Sequence, residues 1–242
     1  MPGDVRRDVR GMELEVSIGR HSAGLDPHLS SHPEAPAAEA VLAWAAARDA
    51  VLRGLVHALS NRVGTVAAVG GMLDGDPPPS SVGTAARVLS GEAERLELLL
   101  AHFRLATADP FGAAPEPVHV PEVLAEVASL AGYALPDVAL TAVPDPAVRP
   151  AVAPRTALAH ALLAAVYAAG GDGAVVLRAH DDGAAVTLAV DPAPGDPRAA
   201  AATVAAVRWL LGARPDGPPA VDGPGGAFTV RLPALGRAAP AA

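Results

Sequence analysis

The sequence predicts an α+β, multidomain chain: a long antiparallel helical hairpin followed by an α/β two-layer sandwich. Three observations carry this expectation. Apolar residues recur at helical spacing in two consecutive runs, split by Gly75-Asp76-Pro77-Pro78-Pro79. A Pro/Gly/Ala stretch at 109–117 then interrupts all periodicity. Beyond it, helical and strictly alternating segments interleave, the pattern of helices packed on a sheet. The expected organisation is a leader at 1–35, a hairpin at 36–108, a linker at 109–117 and a sandwich at 118–237.

In the hairpin, the first helix runs from Ala37 to Asp74. Leu52, Leu55, Leu59, Val66, Val69 and Leu73 form its apolar stripe. Ser80 or Ser81 can cap the second helix, whose stripe is Val82, Ala86, Leu89, Ala93, Leu96, Leu100 and Phe103 and which ends near Ala108. A lone hairpin leaves such stripes wet, so pairing with a second copy into a four-helix bundle is expected. In the sandwich, helices are expected at Pro121–Gly132, Arg155–Ala169 and Arg198–Leu211. Strands are expected at Val138–Val143, Ala174–Ala179, Ala185–Val190 and Ala227–Leu232, with a turn at Asp181-Asp182-Gly183.

Composition narrows the function. Hydrophobic residues make up 51% of the 242 residues but aromatic ones only 3%, so the core is built from Ala, Val and Leu. There is no cysteine, which excludes disulfides, thiolate metal sites and cysteine nucleophiles. No apolar run is long enough for a membrane span, and Met1 to Arg20 lacks the apolar core of a secretory signal, so a cytoplasmic protein is expected. The net charge is −8 and every basic side chain is Arg, without a basic stripe, so no nucleic-acid partner is expected. His21, His28 and His32 lie in the leader, where a solvated tail is a better account than a metal cluster.

The segment Val51-Leu52-Arg53-Gly54-Leu55-Val56-His57-Ala58-Leu59-Ser60-Asn61-Arg62-Val63 resembles the H-box of two-component histidine kinases. Val69-Gly70-Gly71-Met72-Leu73 fits the end of that helix. The resemblance implies that His57 carries a phosphoryl group exchanged with an aspartate of a response-regulator receiver domain. Spacing agrees, because Arg53, His57 and Asn61 follow at i, i+4 and i+8 and share a face turned from the stripe. A histidine of ordinary pKa is largely neutral and nucleophilic near neutral pH. Asn61 could orient a water or phosphoryl oxygens, and Arg53 or Arg62 could steady phosphate charge. His102, on the second helix, lacks such surroundings and is expected to be structural or merely exposed. Two departures weaken self-phosphorylation: Ala58 stands where the family has an acidic residue, and Arg62 where it often has Pro.

The second half resembles the ATP-binding domain of the same kinases, in architecture more than in chemistry. Leu158 to Gly171 aligns with the family's N-box helix, and the Mg²⁺-holding Asn falls at Ala164. His160 is expected on that helix's surface. Val190-Asp191-Pro192-Ala193-Pro194-Gly195 stands at the adenine box, where Asp191 is a vestigial candidate for an adenine contact. No glycine-rich lid follows; Asp196-Pro197-Arg198 leads directly into an Ala-rich helix. Gly223-Pro224-Gly225-Gly226 and the strand to Pro233 match the family's closing turn.

The resemblance spans roughly residues 40–235 and implies a histidine phosphotransfer protein with an eroded ATPase-like domain. It would act as a homodimer, with receivers supplying Mg²⁺; neither ATP nor any other cofactor is expected to bind, nor is a resident metal. Two alternatives stand beside it: a pseudokinase scaffold that binds a receiver or kinase without passing phosphate, and a divergent ATP-dependent kinase.

Overall fold

The computed structural model describes residues 38–75, 77–171, 173–212, 220–222 and 227–236. The leader with His21, His28 and His32, and the glycine turn at 223–226, lie outside the described residues. The architecture is α+β, as expected. Helix α1 spans Ala38–Gly71 and α2 spans Pro79–Thr107. Gly75 turns the chain with φ of 85°, a backbone shape open to glycine. Pro79 then opens α2 at a position where a missing N–H costs nothing.

After the hairpin come β1 (Glu116–Val118), α3 (Val120–Ala131), β2 (Ala139–Val143), β3 (Ala151–Ala153), α4 (Arg155–Ala169), β4 (Ala174–Asp181), β5 (Ala185–Asp191), α5 (Pro197–Leu211), β6 (Ala220–Asp222) and β7 (Phe228–Pro233). The main sheet has the order β2-β4-β5-β7-β6, with β2 and β4 parallel and the other pairs antiparallel. Helix α4 makes the crossover between the parallel pair. Strands β1, β3 and β6 are not among the expected elements. Each has only three residues, too few to show a period of two.

Turn chemistry fixes the β4–β5 register. Asp181 Oδ1 accepts from the Gly183 amide at 2.8 Å, and Asp182 Oδ1 accepts from the Ala184 and Ala185 amides at 2.8 Å. Gly183 has φ of 81°. Asp196 caps α5, accepting from the Arg198 amide at 3.1 Å, with Pro197 in the first turn.

The hairpin does not stand apart from the sandwich. The first half of α1 packs on α4 and α5, so it forms a third layer over the helices that cover the sheet. One continuous core runs from Ala47, Val51 and Leu55 through α3 and α4 to Leu177, Leu188, Val230 and Phe228 on the sheet. Helix α4 is consequently buried on nearly every side.

Candidate functional site

The site begins with the solvent-facing side of α1. Arg53, His57 and Asn61 are all exposed, on one face as their spacing requires. The expected inward stripe of α1 is turned in: Leu55 and Val69 are buried, and Leu52, Leu59, Val66 and Leu73 are half-buried. Asn61 Nδ2 lies 3.3 Å from His57 Nε2. With the amide nitrogen as donor, Nε2 keeps its lone pair and the ring proton sits on Nδ1. Arg53 forms no ion pair among the described residues.

Arg62 faces inward instead. Its Nη1 donates to Glu92 of α2 at 3.2 and 3.4 Å. Glu92 also accepts from Arg95 at 2.6 Å and is only 2% exposed. Sequence reasoning did not single out Glu92, because a glutamate among Arg and Ala looks like an ordinary surface residue.

The apolar stripe expected along α2 is covered only in part within the chain, with Leu89, Leu96 and Phe103 half-buried. Val82 and Leu100 stay 47% and 55% exposed, and Ala86 and Ala93 are exposed as well. The residues buried on α2 are Ala85, Glu92, Leu99, His102 and Ala106. Hydrophobic spacing reports which side of a helix is apolar, not which partner covers it. Val56 and Val63 add to the exposed apolar surface on α1.

His160 is not on a helix surface, contrary to expectation. It is 1% exposed and links three elements. Trp44 Nε1 of α1 donates to His160 Nδ1 at 3.0 Å, and His160 Nε2 donates to the Leu105 carbonyl of α2 at 2.9 Å. Because the indole is only a donor and the carbonyl only an acceptor, the imidazole is held neutral with its proton on Nε2. Burial pushes its pKa down. The physical reason for the correction is that α1 covers α4, so a position facing away from the sheet is still interior. Trp44 also packs edge-on against Trp209 of α5 at 5.7 Å and Phe111 at 6.1 Å, an aromatic knot that fastens hairpin to sandwich.

His102 is buried as well. Its Nδ1 has no hydrogen-bond partner among the described residues, and the ring packs edge-on against Tyr133 at 5.4 Å. Burial lowers its pKa, partly offset by Glu126. Nearby, a methyl group at Gly54 would fall on the Tyr133 carbonyl, so only glycine lets α1 approach this loop.

At the nucleotide-like positions, Ala164 is 2% exposed and lies one turn beyond His160 on the buried α4. It offers no oxygen ligand. Asp191 is half-buried at the end of β5, where its backbone pairs with Val176, and its carboxylate makes no hydrogen bond among the described residues. No group of three or more His, Cys, Asp or Glu suited to a metal ion occurs among the described residues. No helix among them is long and apolar enough to cross a membrane.

No family model matches the chain, and no curated protein matches it. Among solved structures, it is similar to full-length ShkA in complex with AMPPNP, with a TM-score of 0.41 and 19% identity over 76% of this chain. It is also similar to the histidine kinase ThkA in complex with the response regulator TrrA, with a TM-score of 0.38 and 14% identity over 74% of this chain. A histidine kinase from Burkholderia phymatum gives a TM-score of 0.36 and 17% identity over 82% of this chain and 98% of the kinase. The chain spans 46% of the ShkA structure and 60% of the ThkA structure.

Proposed function

We propose that the chain is a histidine phosphotransfer protein of a two-component phosphorelay, receiving and donating phosphate through His57. The observation that carries this reading is the exposed imidazole of His57, with Asn61 Nδ2 one helical turn along and 3.3 Å from its Nε2. In the forward step the Asn61 contact opens, and the freed Nε2 lone pair attacks the phosphorus of an aspartyl phosphate on a receiver. The P–N bond forms as the acyl P–O bond breaks, and the aspartate leaves as a carboxylate. The Nδ1 proton is free to pass to solvent. The reverse step recharges a receiver, whose own acidic pocket brings the Mg²⁺. Arg53 is exposed on the same face and forms no ion pair among the described residues, and it is assigned to phosphate charge, whereas Arg62 is engaged by Glu92.

Autophosphorylation from ATP is not part of the proposal. The Ala164 side chain has no ligand oxygen and is buried, and α5 begins directly after Asp196 with no glycine-rich lid. The exposed stripe of Val82, Leu100, Val56 and Val63 supports a homodimer that closes a four-helix bundle. The sandwich then serves as a brace for the hairpin.

The test is transfer from receiver domains of the same genome, charged with radiolabelled acetyl phosphate. The chain is expected to take up label, and His57→Ala to abolish uptake. Labelling from ATP and Mg²⁺ alone would favour the kinase reading. A receiver that binds without passing label would favour the scaffold.

A further inference from the structure

We propose that Glu92 is a positioning residue, whose ion pair with Arg62 sets the rotation and register of α1 on α2 and thereby the direction in which His57 points. The inference deepens the phosphotransfer reading and rests on it for its catalytic meaning. Its structural half stands on the geometry alone.

Glu92 is a carboxylate removed from water, at 2% exposure. Both of its oxygens lie near Arg62 Nη1 across the hairpin, at 3.2 and 3.4 Å, and Arg95 reaches one of them from the next turn of α2. The other inward residues along this part of the hairpin are mostly aliphatic and small, such as Leu59, Val66, Val69 and Ala85. Aliphatic seams accept neighbouring registers at little cost. Arg95 travels with Glu92 in any register, but the second carboxylate oxygen, Oε2, meets Arg62 alone among the described residues, and only the register that brings Arg62 satisfies it.

Helix geometry links this pair to the reactive ring. Arg62 follows His57 by five residues, which places the two side chains about 140° apart around the helix at about 100° per residue. While Arg62 points at Glu92, His57 must point to solvent, with Asn61 one turn along on the same face. A slip of one residue would swing that face by about 100° and carry the imidazole toward the seam or the flank.

This role has a signature that simple stabilisation lacks. Replacing a buried ion pair by apolar residues often leaves stability unchanged or raises it, while specificity of packing can be lost. The full-length chain carrying Arg62→Met and Glu92→Leu is therefore expected to unfold at the parent's denaturant midpoint or above it. The chain has no cysteine, so Ser60→Cys and Ser90→Cys provide unique spin-label sites on exposed positions of α1 and α2. Labelled chain is diluted into unlabelled chain so that only distances within one molecule are read. The parent should give one narrow distance and the double variant more than one. Transfer from an acetyl-phosphate-charged receiver should slow by about 10-fold or more, the scale of loss expected for a misplaced reacting group.

If the double variant does not fold, Arg62→Met alone cuts the link across the hairpin and leaves Arg95 on Glu92, and the same two readouts apply. A single parent-like distance overturns the proposal, whatever the transfer rate. Several distances with an undiminished rate also overturn it, because register would then not govern His57. If the parent itself takes no label, the phosphotransfer reading fails separately, while the distance distributions still decide whether Glu92 sets the register.

Discussion

The two halves of α1 share one backbone but not one environment. From Ala38 to Leu55 the helix lies against α4 and α5, and Ala40, Ala47, Ala50, Val51 and Leu55 are buried. From Val56 to Gly71 only Val69 is buried, and Val56, His57, Asn61 and Val63 face outward. The first half is paved with small residues, and its Gly54 meets the Tyr133 loop where no side chain fits. The second half packs against α2, with Arg62 gripping Glu92 across the hairpin. His57 sits just past the boundary, so the docked half holds the helix still where the free half presents the imidazole. Rigidity and access, which compete in a single surface, are here separated along one helix.

Adjacent positions give the strongest means of breaking this comparison. Leu55→Ala should cost about 3 kcal/mol, as core leucine truncations do, read from the denaturant midpoint at constant slope. A loss below about 1 kcal/mol would mean that the docked half is not part of the core. Gly54→Ala is the next largest. On helix propensity alone it would stabilise by about 1 kcal/mol, whereas the clash with the Tyr133 carbonyl should destabilise by about 2 kcal/mol. The sign of the change therefore decides whether close approach is required.

Trp44→Phe keeps the aromatic packing and removes the donor to His160. The buried Nδ1 left unpaired should cost about 1–2 kcal/mol. The same contact predicts a pH trend. Burial depresses the folded-state pKa of both His160 and His102 below the ordinary 6.5. The unfolded chain therefore binds more protons over that interval. Stability should be full above about pH 6.5 and fall as the pH drops below it toward the depressed folded values. Unfolding midpoints measured from pH 8 to pH 5 check this, and His160→Leu should flatten the slope. A slope of opposite sign would show that these rings are charged in the fold. The smallest effect belongs to the free half: Val56→Ala should change the unfolding free energy within the chain by less than about 0.5 kcal/mol.

Much of the fold was legible because it rests on local chemistry. The break at Gly75 to Pro79, the aspartate turn at 181–183 and the cap at Asp196 each announce themselves in a few residues. The His57 face follows from spacing alone. The errors concern what covers each helix. His160 was placed on a surface because one histidine among alanines looks polar, yet the run Leu158 to Val166 is apolar all round, a sign of a helix buried on every side that was available in the sequence. The stripe on α2 was legible, but which of its residues α1 covers was not, because periodicity cannot distinguish an intrachain partner from an external one. For the burial of Glu92 no local signal existed, since an i, i+3 partner such as Arg95 is common on exposed helix faces and its partner across the hairpin, Arg62, lies 30 residues away.

By itself, the sequence determined the five helices and the four longer strands to within a few residues, and that Arg53, His57 and Asn61 share a face, because dihedral preference and side-chain periodicity act over a few residues. Only the tertiary structure decided that α1 docks on α4 and α5, that Trp44 and His160 close that contact, and that Glu92 grips Arg62 within the hairpin. Those facts depend on which surfaces exclude water together. That is settled by how well small residues let distant segments approach, and no short stretch of chain encodes it.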